Sequence, residues 1–132
     1  MNKQEQQKDY PYHAKDGTCN YVQTEGKVEV TKINNVPEKS IDQLKAAIAQ
    51  GPVSVTIDAE STEFQQYTRG IFDADKCGTE LDHAVTAVGY GSENDQDFYI
   101  VRNSWGASWG EQGYIRIAAK PGNDGKGICG IQ

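Results

Sequence analysis

Three runs of β-favouring sequence follow one another late in the chain, at 83–90, 97–103 and 113–119, separated only by glycine-containing turns. Strands joined so closely pair antiparallel with their neighbours, because a parallel return needs a crossover of about a dozen residues or more. Upstream, Val53, Val55 and Ile57 alternate with Ser54, Thr56 and Asp58, which is again strand period. Val28, Val30 and then Ile33 suggest a further half-buried strand. Between these lies one good helix, at about 40–50. Ser40 can cap it, with Gln43 three residues on as a capping box needs. Ile41, Leu44, Ala47 and Ile48 form its apolar face, and Gly51-Pro52 ends it. A helical turn at 64–67 is a weaker expectation. The fold class implied is mainly β, an antiparallel barrel-like domain with one main helix.

Size and charge narrow the function. The chain has 132 residues, enough for one domain with a modest core. Apolar residues at 36% and charged residues at 24% place it among globular rather than membrane or disordered chains. No run approaches the roughly 20 apolar residues of a membrane span. The opening MNKQEQQKDY holds no apolar segment, so no signal peptide is expected there, and a natural start at Met1 would keep the protein in the cytosol. Residues 1–8 are expected to be a flexible polar N-terminus, with 9–132 as the domain. A net charge of −6 argues against nucleic acid as a partner. The acidic stretches 60–63 and 93–97 read as solvated loops. The three cysteines are an odd number: Cys77 and Cys129 could close one bridge, leaving Cys19 as a free thiol or with a partner on another stretch of chain. No Cys-x-x-Cys or His/Cys cluster has metal spacing, so neither a metal nor another cofactor is expected.

The two histidines differ. His13 lies in the polar Tyr12-His13-Ala14-Lys15 loop and should be solvated, whereas His83 opens a strand. A lone histidine there is more often structural than catalytic, and spacing changes those odds. If 83–90 and 97–103 form a hairpin around a polar loop at 91–96, a turn centred near residue 93 sets His83 opposite Asn103. An asparagine oxygen can accept the imidazole N–H and fix its tautomer, leaving the other ring nitrogen for a nucleophile. Trp105, two residues after that asparagine, could roof the pair and exclude water.

At this point the residues carry a resemblance. Asn103-Ser-Trp-Gly-x-x-Trp-Gly-x-x-Gly-Tyr114 resembles the signature around the active-site asparagine of papain and cathepsin L-like cysteine peptidases. Leu81-Asp82-His83-Ala84-Val85 with Val88-Gly89-Tyr90-Gly91 is similar to that family's histidine region. Gly51-Pro52-Val53-Ser54-Val55, Tyr67-x-x-Gly70-Ile71-Phe72 and Asp9-Tyr10-Pro11-Tyr12 follow the same family order, so the resemblance runs from Asp9 to Cys129. It implies the family's C-terminal, β-rich domain, with His83 as general base and acid and Asn103 as its orienter. Trp105 would shield them. Leu81, Asp82 and Thr56 would line part of an apolar-side-chain specificity pocket. Cys77 and Cys129 would form a structural disulfide, and Cys19 would match a cysteine that pairs with the other half of the enzyme.

The same resemblance marks what is missing. The family's nucleophilic cysteine and oxyanion-hole glutamine sit on an N-terminal domain, and no cysteine here has the Cys-Gly-Ser-Cys-Trp context of that nucleophile. The expected partners are therefore a Cys-bearing N-terminal peptidase domain and a peptide or protein substrate, with neither nucleic acid nor membrane. Without that domain the chain should be inactive and should self-associate through surface the domain would cover. The family's compartments are lysosomal or secreted, where the Cys77–Cys129 bridge would persist. The competing reading is a non-catalytic binding or structural module that keeps the fold. Intact His83, Asp82 and Asn103 favour the enzyme half.

Overall fold

The computed structural model describes residues 3–74 and 77–132, so the first two residues of the expected polar start lie outside it. The chain forms two compact units, Met1–Asn35 and Val36–Gln132. In the first, β1 (Lys3–Gln4) pairs antiparallel with β2 (Val28–Glu29). The strand expected from Val28 to Ile33 is thus only two residues long, and Val28 and Ile33 are both exposed. Its alternating side chains find no core to face, so the pattern has nothing to select it.

The second unit holds the core. Its helix α1 (Ile41–Ile48) begins where the cap signal places it, with Ser40 Oγ accepting the Gln43 N–H at 3.3 Å. Leu44 and Ile48 bury its apolar face. We expect Ser40→Ala to lower stability by about 1 kcal/mol, read by urea denaturation, because one orphan N–H of the first turn loses its acceptor. The weaker helical expectation near 64–67 proves to be α2 (Thr62–Gln65), capped by Ser61 Oγ and burying Phe64 completely.

One five-stranded sheet carries the unit, in the order β3 (Val53–Ile57), β5 (His83–Glu93), β6 (Gln96–Arg102), β7 (Tyr114–Ala118), β4 (Ile71–Phe72). The first four are antiparallel in sequence, and β4 joins β7 in parallel. The inward faces supply Val55, Ile57, Val85, Tyr99, Val101, Ile115 and Ile117, each 8% exposed or less. A disulfide between Cys77 and Cys129 ties the segment before β5 to the C-terminal turn.

The β5–β6 hairpin corrects the expected register. The turn is the two residues Asn94 and Asp95, whose φ angles of 51° and 62° suit a type I′ turn, and not a loop over 91–96. A bulge between Ala87 and Gly89 then shifts the pairing to Ala87↔Val101 and Thr86↔Arg102. Continuing that register sets Asn103 beside Val85, so His83 and Asn103 are diagonal neighbours rather than directly opposed partners. In the ladder His83 pairs with Ile57 of β3.

Candidate active site

Backbone parity places His83 and Asn103 on one face of the sheet despite the changed register. Residues 83, 85 and 87 of β5 point inward, as do Tyr99 and Val101 of β6, and Asn103 continues that alternation past the strand end. The diagonal separation is then closed by the side chains, with His83 Nε2 and Asn103 Oδ1 2.8 Å apart.

The tautomer follows from a second bond. Asn103 Oδ1 also accepts the Ser104 backbone N–H at 2.7 Å. A backbone N–H can only donate, so the atom facing both partners is the oxygen, and His83 Nε2 must carry the proton. His83 Nδ1 is therefore the ring nitrogen left for other chemistry. Asn103 is 7% exposed, and its Nδ2 is buried with no hydrogen-bond partner among the described residues. Such an orphan donor costs about 1–3 kcal/mol, which is more readily understood if Oδ1 is what the position is kept for.

Trp105 lies over the imidazole, ring centroids 5.2 Å apart and planes 29° from parallel. It is held edge-on to Phe64 at 5.6 Å and to Trp109 at 5.3 Å. An imidazole, an oriented amide and an indole roof are consistent with the base–orienter arrangement of nucleophilic acyl transfer.

Residues 1–132 match the papain family of cysteine proteases. The chain belongs to that family. It is 50% identical over 125 residues to cysteine proteinase RD21A of Arabidopsis thaliana, covering 94% of this chain and 27% of that protein. It is 49% identical over 123 residues to Zingipain-2 of Zingiber officinale, covering 92% and 54%. Among solved structures it resembles the bromelain protease of Ananas comosus in complex with the E64 inhibitor, with a TM-score of 0.81, 41% identity and 96% and 58% coverage. Digestive procathepsin L 3 of the Tenebrio molitor larval midgut gives a TM-score of 0.84 and 36% identity, with 98% and 42% coverage. The chain thus spans about a quarter to somewhat over half the length of these relatives.

The remaining residues of this papain-family chain fall around the His83–Asn103 pair in different ways. Thr56 is exposed opposite Ala84 in the β3–β5 ladder, on the face of the sheet away from Ile57 and His83. Leu81 is 54% exposed and its Cδ2 packs close over Gly130. Asp82 is exposed, and its Oδ1 accepts the Ala59 N–H at 2.9 Å while its own N–H donates to Ile57 O. Cys77 and Cys129 are bridged, and Cys19 is a free, exposed thiol in the Met1–Asn35 unit.

Two features escaped the sequence reading. Asp58 is 6% exposed and clamps two segments, accepting the Glu60 N–H on Oδ1 and the Glu80 N–H on Oδ2. Its position at the end of a strand pattern gave no sign that it turns inward.

The second is Glu111, at an unspecified position of the Asn103–Tyr114 signature. It takes two parallel bonds from Arg116, Nε to Oε2 and Nη2 to Oε1, both 2.9 Å, and Oε1 also accepts the Gly70 N–H at 2.8 Å. The Arg116 bonds hold the Glu111 carboxyl below its ordinary range, with burial opposing them. A depressed folded-state pKa stabilises fully above the unfolded value of about 4.3, and that contribution fades as pH falls through the lower, folded value. Arg116→Met should therefore cost about 1–2 kcal/mol at pH 7. The gap between the variant and the parent should narrow in urea melts repeated at successively lower pH. A gap that stays constant into strong acid would mean Arg116 acts through packing alone.

Proposed function

We propose that this chain supplies the His/Asn side of a cysteine endopeptidase site. The observation that carries the reading is the His83 Nε2–Asn103 Oδ1 bond under Trp105, which fixes the proton on Nε2 and leaves Nδ1 for a thiol. The thiol would come from a Cys-bearing N-terminal peptidase domain, since Cys77 and Cys129 are consumed by their disulfide and the free Cys19 lacks the sequence context of the family's nucleophile.

In that assembly His83 Nδ1 takes the thiol proton, giving a thiolate–imidazolium pair. The sulfur attacks the scissile carbonyl, the carbon–nitrogen bond breaks, and His83 returns its proton to the leaving amine. Water then attacks the thioester with His83 again as base, releasing the acid and restoring the thiol. Asn103 orients the ring throughout and Trp105 keeps water from their bond. Thr56 and Leu81, both exposed, would with Asp82 line part of a pocket for an apolar side chain of a peptide or protein substrate. The chain by itself would make no acyl-enzyme.

The test is to refold the chain with the N-terminal half of a relative such as Zingipain-2 and assay a fluorogenic peptide carrying an apolar P2 residue. Cleavage in the mixture, absent from each half alone, is expected. Halves that associate without any cleavage would favour a non-catalytic module.

A further inference from the structure

Beyond the His–Asn pair, the contacts of the Glu111–Arg116 clamp lead back to the imidazole. Glu111 Oε1 accepts the Gly70 N–H, and Tyr67 Oη donates to Gly70 O at 2.5 Å while accepting the Arg116 N–H at 3.4 Å. Gly70 is thus held by Glu111 through its N–H and by Tyr67 through its carbonyl, and the Tyr67 hydroxyl is in turn bonded to Arg116 of β7. Glu111 is itself pinned, its N–H donating to Tyr114 O and its O accepting the Tyr114 N–H.

From this clamp an aromatic ladder runs to the site. The Tyr67 ring packs on Trp109 at 5.6 Å, Trp109 meets Trp105 at 5.3 Å, and Trp105 stacks on His83 at 5.2 Å. Trp109 is fixed in addition by its indole N–H donating to Gln65 O at 3.0 Å. Gly110 lets the ladder close: a Cβ there would lie 2.5 Å from Tyr114 O and 3.0 Å from the Tyr67 ring. Each ring is in van der Waals contact with the next, so freedom given to Tyr67 passes to Trp109 and Trp105.

We propose that Glu111 is a positioning residue for His83, acting through Gly70, Tyr67 and the two tryptophans to hold the roof that protects the His83–Asn103 bond. The proposal rests on reading that bond as the catalytic pair. It differs from a purely structural role because it ties a carboxylate with no direct contact to the imidazole to the state of one ring proton.

The chain has only two histidines, which makes the proton readable. With 15N-labelled histidine, correlation spectra of the whole chain should show His83 protonated on Nε2 and in slow exchange with water, and exposed His13 in fast exchange as an internal reference. Glu111→Ala should speed exchange of the Nε2 proton at least ~10-fold and admit the other tautomer. Glu111→Gln, which keeps an acceptor for the Gly70 N–H, should recover most of the parent pattern. Leu44→Ala, a core truncation on α1, should lower the melting temperature without moving the His83 signal.

Unchanged His83 exchange in Glu111→Ala overturns the proposal, as does an equal change in Leu44→Ala. If Glu111→Ala does not fold, Tyr67→Phe is read instead; it keeps the ring and removes the hydroxyl, and is expected to raise exchange about threefold or more, no change again being fatal. A parent chain with no protected Nε2 proton would instead refute the catalytic-pair reading beneath it.

Discussion

Replacing both Cys77 and Cys129 by alanine should lower the stability of this domain by about 4 kcal/mol, the largest single structural effect expected in the chain. The bridge closes a sequence separation of 52 residues. In the chain-entropy account, a cross-link of that span removes roughly 14 cal/mol/K from the unfolded ensemble, which is about 4 kcal/mol at room temperature. For a unit of about a hundred residues the midpoint should fall by roughly 15–25 °C. The native contacts point the same way. Cys129 is fully buried and its carbonyl accepts the Asp58 N–H at 2.8 Å, so the C-terminal turn is stitched to the end of β3 next to the stretch that leads into His83. Thermal melts with and without reductant, beside Cys19→Ser as a control that touches no bridge, measure it. A loss below about 1 kcal/mol would mean that the unfolded chain is already compact across this span, leaving the cross-link little entropy to remove.

The helix at Ser40 was legible because capping, apolar spacing and the Gly51-Pro52 stop are all local and agree. So was the strand character of β3 and β5, since one buried face imposes period two. The pairing of those strands was less so. The hairpin register depends on two φ-positive residues, Asn94 and Asp95, and on a bulge after Ala87, and neither asparagine-aspartate nor an alanine–valine–glycine stretch announces itself as such. The correct meeting of His83 with Asn103 survived the error because the true register differs by two residues, and a shift of two preserves the face. Val28, Val30 and Ile33 failed for the opposite reason: their alternation was real, yet β1 pairs only with Val28–Glu29 and all three side chains stay exposed. Asp58 and Glu111 were invisible because their roles are made by acceptor geometry to N–H groups distant in sequence, Glu80 and Gly70, which no spacing encodes.

His83→Ala, made in the chain and assayed with a Cys-bearing N-terminal half, should lower kcat/KM by about 10⁴-fold. That corresponds to about 5.5 kcal/mol of transition-state stabilisation, the upper range for a group that both takes and returns a proton. The fall should appear in kcat with KM little changed, because the imidazole's work is done at the reacting bond and contributes little to ground-state binding. Asn103→Ala should be milder, about 10²-fold: the base remains, but nothing then holds the proton on Nε2, and the ring can present the wrong nitrogen or the wrong angle. The two losses should not add. Once His83 is gone its orienter has nothing to orient, so the double variant should be no slower than His83→Ala alone. His13→Ala, in the exposed loop of the other unit, supplies the control and should leave the rate unchanged. This pattern separates the catalytic reading from a merely structural one, because a structural histidine would give losses that track melting temperature and an asparagine effect that adds. Equal activity in His83→Ala and the parent assembly would remove His83 from the chemistry, and with it the reason for Trp105 to lie where it does.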